Sequence, residues 1–355
     1  MKIKLAMIET DTGYLDRFVS VFSTRYADKF EIYSFTDAAV AAPALSASKI
    51  DVVLVSDSVE LDMNLIPKRC GVVYLVDSMD VESLNDLPTI CRYQKVDLIY
   101  KQILSIYSEH AGKYTELKNT EDNCKVIAFT APSGGAGAST MAAACALHLA
   151  AKGLRTLYLN LERFGAADDF FSGDGQFSMS DVIYALKTKK ANLTMKLESC
   201  VKRDARGVFF FSQAKLALDM LELKTDETLR LLSELRLTGS YDRIILDVDF
   251  DLSEDTLRLL RQTGAIVLVG DGSPISNTKV FRAVTALSMR EQSGELRLTD
   301  RTVLAYNKFS SKMSAMIKNL DLRVVGGAPR YEHATVGQML AQLSKMALFD
   351  EIDKC

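Results

Sequence analysis

The stretch Lys125–Met141, KVIAFTAPSGGAGASTM, decides the fold of the chain. Its first six residues, Lys125–Thr130, form a short, mostly apolar run that is typical of a buried strand. Residues 131–138 contain three glycines, and the alanine- and leucine-rich run from Ser139 to Gly153 predicts a helix. A strand, a glycine-rich loop and a helix in this order predict a phosphate-binding loop, because backbone N–H groups and the helix dipole converge on an anion there.

The loop resembles one phosphate loop in particular, the deviant Walker A of the MinD/ParA ATPases. That family's loop reads Lys-Gly-Gly-x-Gly-Lys followed by two Ser/Thr residues, and residues 134–140 of this chain read GGAGAST. Ser133 and Ala138 stand where the family has its two lysines. A structural glycine turn before a helix is the alternative for this loop alone. The resemblance implies that the following loop residues bind ATP: Ser133, Gly134, Gly135, Ala136, Gly137, Ala138, Ser139 and Thr140.

Length and composition are those of a globular protein with two or three domains. The chain has 355 residues, of which 48% are hydrophobic and 25% charged. A net charge of −3 gives no global argument for binding to nucleic acid or to an anionic membrane. The six cysteines show no metal-binding spacing, which favours reduced thiols in a cytoplasmic protein. The N-terminus lacks a signal-peptide core, and the longest largely apolar run, residues 141–151, is too short to span a bilayer.

Residues 1–118 alternate strands and helices at the spacing of a parallel α/β sheet. Five strands are predicted: Lys2–Ile8, Phe30–Phe35, Val52–Val55, Gly71–Val76 and Val96–Tyr100. The pattern resembles a response-regulator receiver domain with a flavodoxin-like fold. Glu9 and Asp11 match that family's magnesium-binding acidic pair, and Lys101 matches the lysine that follows its fifth strand.

The position of the receiver family's phosphoacceptor aspartate is occupied by Ser56. A serine hydroxyl lacks the carboxylate charge that would hold Mg²⁺ and attack a phosphodonor. We therefore interpret residues 1–118 as an atypical receiver-like domain that serves as a binding surface. A small flavodoxin-like domain of other descent is the alternative.

Residues 119–124 are predicted to be a linker, and residues 125–355 form the second domain. Its strand Thr156–Glu162 resembles the second strand of the MinD/ParA ATPases, which ends Asp-x-Asp. Those positions hold Asn160 and Glu162 here. The resemblance implies that Glu162 orients the attacking water and that the uncharged Asn160 contributes less to the metal shell, so both are the catalytic candidates.

A second apolar strand, Tyr241–Asp247, ends in a carboxylate as a Walker B strand does. Ser139 and Asp247 are therefore the candidate residues for Mg²⁺. Three further residues match the positions around the adenine in MinD relatives: Asn307, Pro329 and Arg330.

Together these features predict an α/β protein with two doubly wound parallel-sheet domains, a receiver-like domain and a P-loop NTPase domain of MinD/ParA type. A degenerate receiver domain fused to such an ATPase resembles the TadZ/CpaE proteins of Tad-type pilus assembly. The resemblance implies a cytoplasmic localisation or assembly factor that binds ATP and Mg²⁺, forms an ATP-dependent homodimer and hydrolyses ATP weakly. Other Tad pilus and secretion components would be its partners, and a cell pole or the inner face of the membrane its site of recruitment.

Two alternatives are a ParA-type partitioning ATPase that moves on DNA and a MinD-type positioning ATPase that cycles on membranes. The missing loop lysines oppose the first, and the basic stretch Lys187–Arg206 is more typical of a solvated helix surface, so we expect no tight DNA binding. Ala334–Phe349 predicts an amphipathic helix, but acidic residues follow it, so we expect no stable membrane insertion. A third alternative, a two-component signalling output protein, is opposed by Ser56.

Overall fold

The computed structural model describes residues 2–67, 70–110, 124–188, 192–291 and 298–355. The chain divides into two compact units, one of residues 1–116 and 188–199 and one of residues 117–187 and 200–355. The predicted linker lies outside the described residues except for Cys124.

The first unit is built on one mostly parallel sheet. Its strands are β1 Ile3–Ile8, β2 Phe30–Phe35, β3 Val52–Ser56, β4 Gly71–Val76, β5 Ser83–Leu84 and β6 Leu87–Cys91. Its first three helices are α1 Thr12–Arg25, α2 Ala38–Ala47 and α3 Val96–His110. The strand order is β2-β1-β3-β4-β6-β5, and only the short β5 pairs antiparallel within the described sheet.

Alternate side chains of each strand enter two separate cores, because successive residues of a strand point to opposite faces. In β1, Leu5 and Met7 pack with the apolar faces of α1 and α3. Ala6 and Ile8 pack on the other face with α2. The sheet is therefore covered on both faces, as the sequence predicts for a doubly wound domain.

The predicted strand at Val96–Tyr100 is wrong, because this segment begins α3. Ile99, Tyr100 and Ile103 recur at helical spacing and are all buried. The fifth parallel strand is β6, whose five residues include Pro88 and follow a polar loop, so its apolar pattern is weak.

The second unit is built on an eight-stranded sheet. Its strands are β7 Lys125–Thr130, β8 Thr156–Asn160, β9 Lys202–Arg203, β10 Phe209–Phe210, β11 Arg243–Asp247, β12 Ala265–Gly270, β13 Thr302–Phe309 and β14 Arg323–Pro329. The remaining helices are α4 Ala138–Ala151, α5 Ala167–Phe170, α6 Met179–Lys187, α7 Leu193–Cys200, α8 Ala217–Leu221, α9 Thr225–Leu237, α10 Glu254–Leu260, α11 Pro274–Glu291, α12 Val336–Leu343 and α13 Leu348–Lys354.

The strand order β14-β13-β12-β7-β11-β8-β10-β9 places β7 at the centre of this sheet. β7, β8, β11, β12 and β13 are parallel, so their carboxyl ends lie along one edge. The glycine-rich loop after β7 therefore lies beside the ends of β11 and β8. Ligands of open parallel sheets bind at this edge.

The alanine-rich helix α4 is buried from Met141 to Leu149. Its small side chains pack against the sheet and against Leu340 of α12 and Phe349 of α13 in one core. The predicted single helix Ala334–Phe349 is wrong, since α12 and α13 are separate. Most apolar residues of the two helices pack into this core, although Val336 at the start of α12 is exposed. None of the described helices combines the length and the apolar composition that a membrane-spanning helix needs.

Most of α7 belongs to the first unit, and it changes the interpretation of the basic stretch. Lys196 is buried, and its Nζ donates to Ser105 Oγ of α3 at 2.6 Å. The interpretation of Lys187–Arg206 as a fully solvated helix surface is therefore wrong at Lys196. Lys189 and Lys190 lie outside the described residues.

Candidate nucleotide-binding site

The glycine-rich loop adopts the backbone conformation of an anion-binding turn. Gly135 has φ +77° and Gly137 has φ +88°, in the left-handed region that glycine adopts without a steric penalty. Gly137 is the N-cap of α4, and no side chain caps that end of the helix. The first N–H groups of a fourteen-residue helix therefore remain available to a phosphate.

Asn307, one of the predicted adenine-contacting residues, lies in β13 and contacts this loop. It is almost fully buried, and its Nδ2 donates to the Ala136 carbonyl at 2.9 Å. A Cβ atom added to Gly137 would lie 2.4 Å from the same nitrogen, which leaves no room for any other residue. The contact of Asn307 with adenine stays a prediction, but its contact with the loop is observed.

The ends of β8 and β11 bring the candidate catalytic and metal-binding residues together. Asp247 is fully buried, and its Oδ2 accepts from Tyr158 Oη at 2.6 Å and from Asn160 Nδ2 at 3.1 Å. Asn160 Nδ2 also lies 3.2 Å from Glu162 Oε2. Ser139 Oγ donates to Glu162 Oε1 at 3.1 Å, which joins the first turn of α4 to the carboxylates.

The electrostatics of this cluster favour a cation. Burial and the neighbouring Glu162 carboxylate raise the pKa of Asp247 well above its ordinary value. The other carboxylate oxygen, Oδ1, is buried and has no hydrogen-bond partner among the described residues. Such an orphaned oxygen beside the Ser139 hydroxyl fits the oxygen-only ligand preference of Mg²⁺. A magnesium ion held by Ser139 and Asp247 would supply positive charge next to a bound triphosphate.

Tyr158 is a residue of this cluster that sequence reasoning missed. Its side chain is fully buried, and burial together with the Asp247 carboxylate raises its pKa well above the ordinary value. Strand periodicity could have found it, because Tyr158 lies two residues before Asn160, on the same face of β8. Its hydroxyl fixes one oxygen of Asp247 and leaves the other free to bind a cation.

The remaining predicted residues lie along the loop and at the end of β14. Ser133 is buried in the loop, Ala138 begins α4 and Thr140 is half-buried in its first turn. Pro329 and Arg330 are exposed where β14 ends, and no hydrogen bond or ion pair of the described residues joins them to the loop. Their place beside the base stays a prediction.

In the first unit, an arginine occupies the position where a receiver domain would hold its metal and phosphoryl group. Arg92 follows β6 and lies 3.0 Å from buried Glu9 and 2.8 Å from Asp57. The Asp77 carboxylate lies 2.8 Å from its Nε, an ion-pair distance without hydrogen-bond alignment. Fully buried Ser56 accepts from Arg92 Nη2 at 3.4 Å.

The predicted match of Lys101 to the receiver lysine is wrong, because Lys101 lies within α3. The residue that follows the fifth parallel strand is Arg92. Asp11, the other half of the predicted acidic pair, caps α1 by accepting from the Tyr14 N–H. The guanidinium thus supplies internally the positive charge that a divalent cation supplies in a phosphorylatable pocket.

Residues 1–108, most of the first unit, are similar to a known domain family. A family model described as TadZ-like, receiver domain matches residues 1–108. These residues form a TadZ-like receiver domain. No curated protein matched the sequence.

Solved structures resemble the rest of the chain. A ParA family ATPase from Chlorobium tepidum TLS has 17% identity and a TM-score of 0.52, over 65% of this chain and 96% of that chain. The septum site-determining protein MinD complexed with Mg-ADP, from Pyrococcus horikoshii OT3, has 15% identity and a TM-score of 0.48, over 65% of this chain and 96% of that chain. A chain of the MinC:MinD cell division protein complex of Aquifex aeolicus has 14% identity and a TM-score of 0.47, over 65% of this chain and 94% of that chain.

The first of these structures shows that the second unit has the fold of a ParA family ATPase. A TadZ-like receiver domain joined to this fold confirms the predicted resemblance to TadZ/CpaE-type proteins.

Proposed function

We propose that this chain is an ATP-binding localisation or assembly factor of a Tad-type pilus machine. The observation that carries the proposal is the union of a TadZ-like receiver domain with a ParA-type fold that keeps a glycine-rich loop beside a buried carboxylate. The receiver domain supports a role in Tad-type pilus assembly, and the loop supports the binding of a nucleotide. Other components of that machine are the proposed partners.

ATP with Mg²⁺ is the proposed ligand. The backbone conformation of the loop, the free end of α4 and the pair of Ser139 and Asp247 support a triphosphate with its metal. Binding to backbone N–H groups does not depend on the missing lysines. Losing one lysine contact costs about 1.5–3 kcal/mol, or roughly ten- to a hundredfold in affinity, so we expect weakened binding and not its loss.

Hydrolysis is proposed to be very slow. Phosphoryl transfer depends on positive charge placed against the γ-phosphoryl oxygens. Ala138 and Ser133 remove two such charges from the loop, whereas Glu162 keeps a carboxylate that could orient water. The residues present therefore support binding and ordering of the triphosphate better than they support its cleavage.

ATP is further proposed to pair two copies of the chain through their loops, and slow hydrolysis would keep that homodimer assembled. The receiver-like domain is proposed to present a surface to partners without taking up phosphate, since Arg92 already forms ion pairs with Glu9 and Asp57 of its acidic pocket. A cytoplasmic protein that is recruited to a cell pole or to the inner face of the membrane fits this role.

Sedimentation velocity of the full chain with no nucleotide, Mg-ADP or Mg-ATP tests the proposal, together with phosphate release from the same samples. We expect a shift from monomer to dimer with Mg-ATP and little phosphate released. An oligomeric state indifferent to ATP would contradict the dimer. A turnover near one per second would contradict the slow-hydrolysis part and would favour a motor of the partitioning type.

A further inference from the structure

A lysine outside the loop contacts it from the end of β13. Lys308 Nζ donates to the Gly135 carbonyl at 2.8 Å, next to the contact of Asn307 with Ala136. Gly135 is one of the two left-handed glycines that shape the loop. The sequence motif did not reveal this residue, because it lies 173 positions along the chain from Gly135.

The local backbone directs Lys308 towards the loop. Lys308 itself has φ +55°, a conformation that residues with a Cβ rarely adopt. The pairing of β13 with β14 is irregular between Tyr306 and Phe309, so Lys308 lies in a bulge. Bulges beside functional sites re-aim side chains that a regular strand would point elsewhere.

We propose that Lys308 is the cation of the phosphate loop and supplies one positive charge to the bound triphosphate, where the loop of the MinD/ParA ATPases has two lysines. An ammonium group has three N–H donors, and the contacts of the described residues use one of them, on Gly135. The side chain is exposed, so its other donors are open to solvent next to the loop. This inference rests on the proposed function, and it adds the residue that compensates for an altered Walker A.

A merely structural role would give a different result. If Lys308 only holds the Gly135 carbonyl, its removal would weaken all nucleotides by a similar factor. If it acts on the phosphates, the loss must grow with the number of phosphates and must shrink as salt screens the charge. The number of phosphates and the salt concentration therefore separate the two roles.

The experiment measures dissociation constants of AMP, ADP, ATP and inorganic triphosphate, each with Mg²⁺, for the full chain and for Lys308→Ala. We expect ATP and triphosphate to bind about ten- to thirtyfold more weakly, ADP less so, and AMP within about twofold. Raising salt from about 0.05 M to about 0.5 M should remove most of the difference. Lys308→Arg should bind ATP within about threefold of the unaltered chain, since it keeps the charge.

Lys345→Ala is the matched control, because it removes the same charge from an exposed position after α12. It should change none of the four constants. Equal weakening of AMP and ATP by Lys308→Ala, or no weakening of ATP, would overturn the inference while leaving the proposed function intact. If the unaltered chain binds none of the four ligands, both the proposed function and this inference are refuted.

Discussion

Replacing Arg92 with methionine should destabilise the first unit strongly. The change keeps the length and apolar stem of the side chain and removes the guanidinium from Glu9, Asp57 and Asp77. The side chain of Glu9 is 1% exposed and that of Arg92 10% exposed, so their contact at 3.0 Å is a buried ion pair. Removing one partner of such a pair costs about 3–5 kcal/mol, because the other charge stays buried without compensation.

The two other carboxylates add little to this cost. The side chains of Asp57 and Asp77 are 39% and 67% exposed, and ion pairs at that exposure contribute at most about 1 kcal/mol each. Arg25→Met is the matched control, since Arg25 lies 3.3 Å from Asp97 with side chains 54% and 61% exposed. It should cost less than about 1 kcal/mol.

Hydrogen exchange read by mass spectrometry is the assay, because it reports the opening free energy of β1 and β3 separately from that of β7 and β11. Arg92→Met should lower protection of β1 and β3 by about 3–5 kcal/mol and leave β7 and β11 unchanged. Adding Glu9→Gln should restore much of the loss, since the unpaired charge is then gone. A loss for Arg92→Met equal to that for Arg25→Met would show that the buried pair of Arg92 and Glu9 contributes no more than an exposed one.

Four further outcomes are expected. Gly137→Val should abolish ATP binding in titration calorimetry, because its Cβ would lie 2.4 Å from Asn307 Nδ2. Gly337→Val is the control and should leave ATP binding intact, because no atom lies within 4 Å of its added Cβ. Retained binding by Gly137→Val would contradict the assignment of the loop to ATP. Ala138→Lys should raise phosphate release about tenfold or more if the variant melts like the unaltered chain, and an unchanged rate would contradict the charge argument. Acetyl phosphate should leave no phosphate-mass adduct on Asp57 or Ser56 by mass spectrometry, and a stoichiometric adduct on either residue would contradict the role of Arg92. A filter-binding assay should show no tight DNA retention, and strong, salt-sensitive retention would revive the partitioning alternative.

The parts of the fold that the sequence predicted well are those in which a short segment carries its own pattern. β7, the loop and α4 follow one another in the chain. The loop needs glycines for its backbone conformation, and α4 needs alanines for close packing, so both residue types are visible in the sequence. β11 was recognisable because three consecutive apolar residues, Ile244, Ile245 and Leu246, are followed directly by an aspartate, as in a Walker B strand. These two segments also define the candidate site.

The features that were missed depend on contacts between distant segments. Arg92 acts as a pocket cation only because β6 pairs with β4, and the weak strand pattern of β6 gave no sign of this. Lys308 contacts the loop through a bulge that no periodicity reveals. α12 and α13 read as one amphipathic helix because their shared apolar face packs on α4, and their separation is visible only in that packing.

Calorimetric titration of Mg-ATP into the full chain measures directly whether a loop without lysines binds ATP. We expect saturable heat with one nucleotide bound per chain, and no such heat from Gly137→Val. The absence of heat, with no competition by ATP at about 1 mM against a labelled nucleotide, would show that the loop does not bind ATP. An affinity weakened by roughly a hundredfold would still give binding at that concentration.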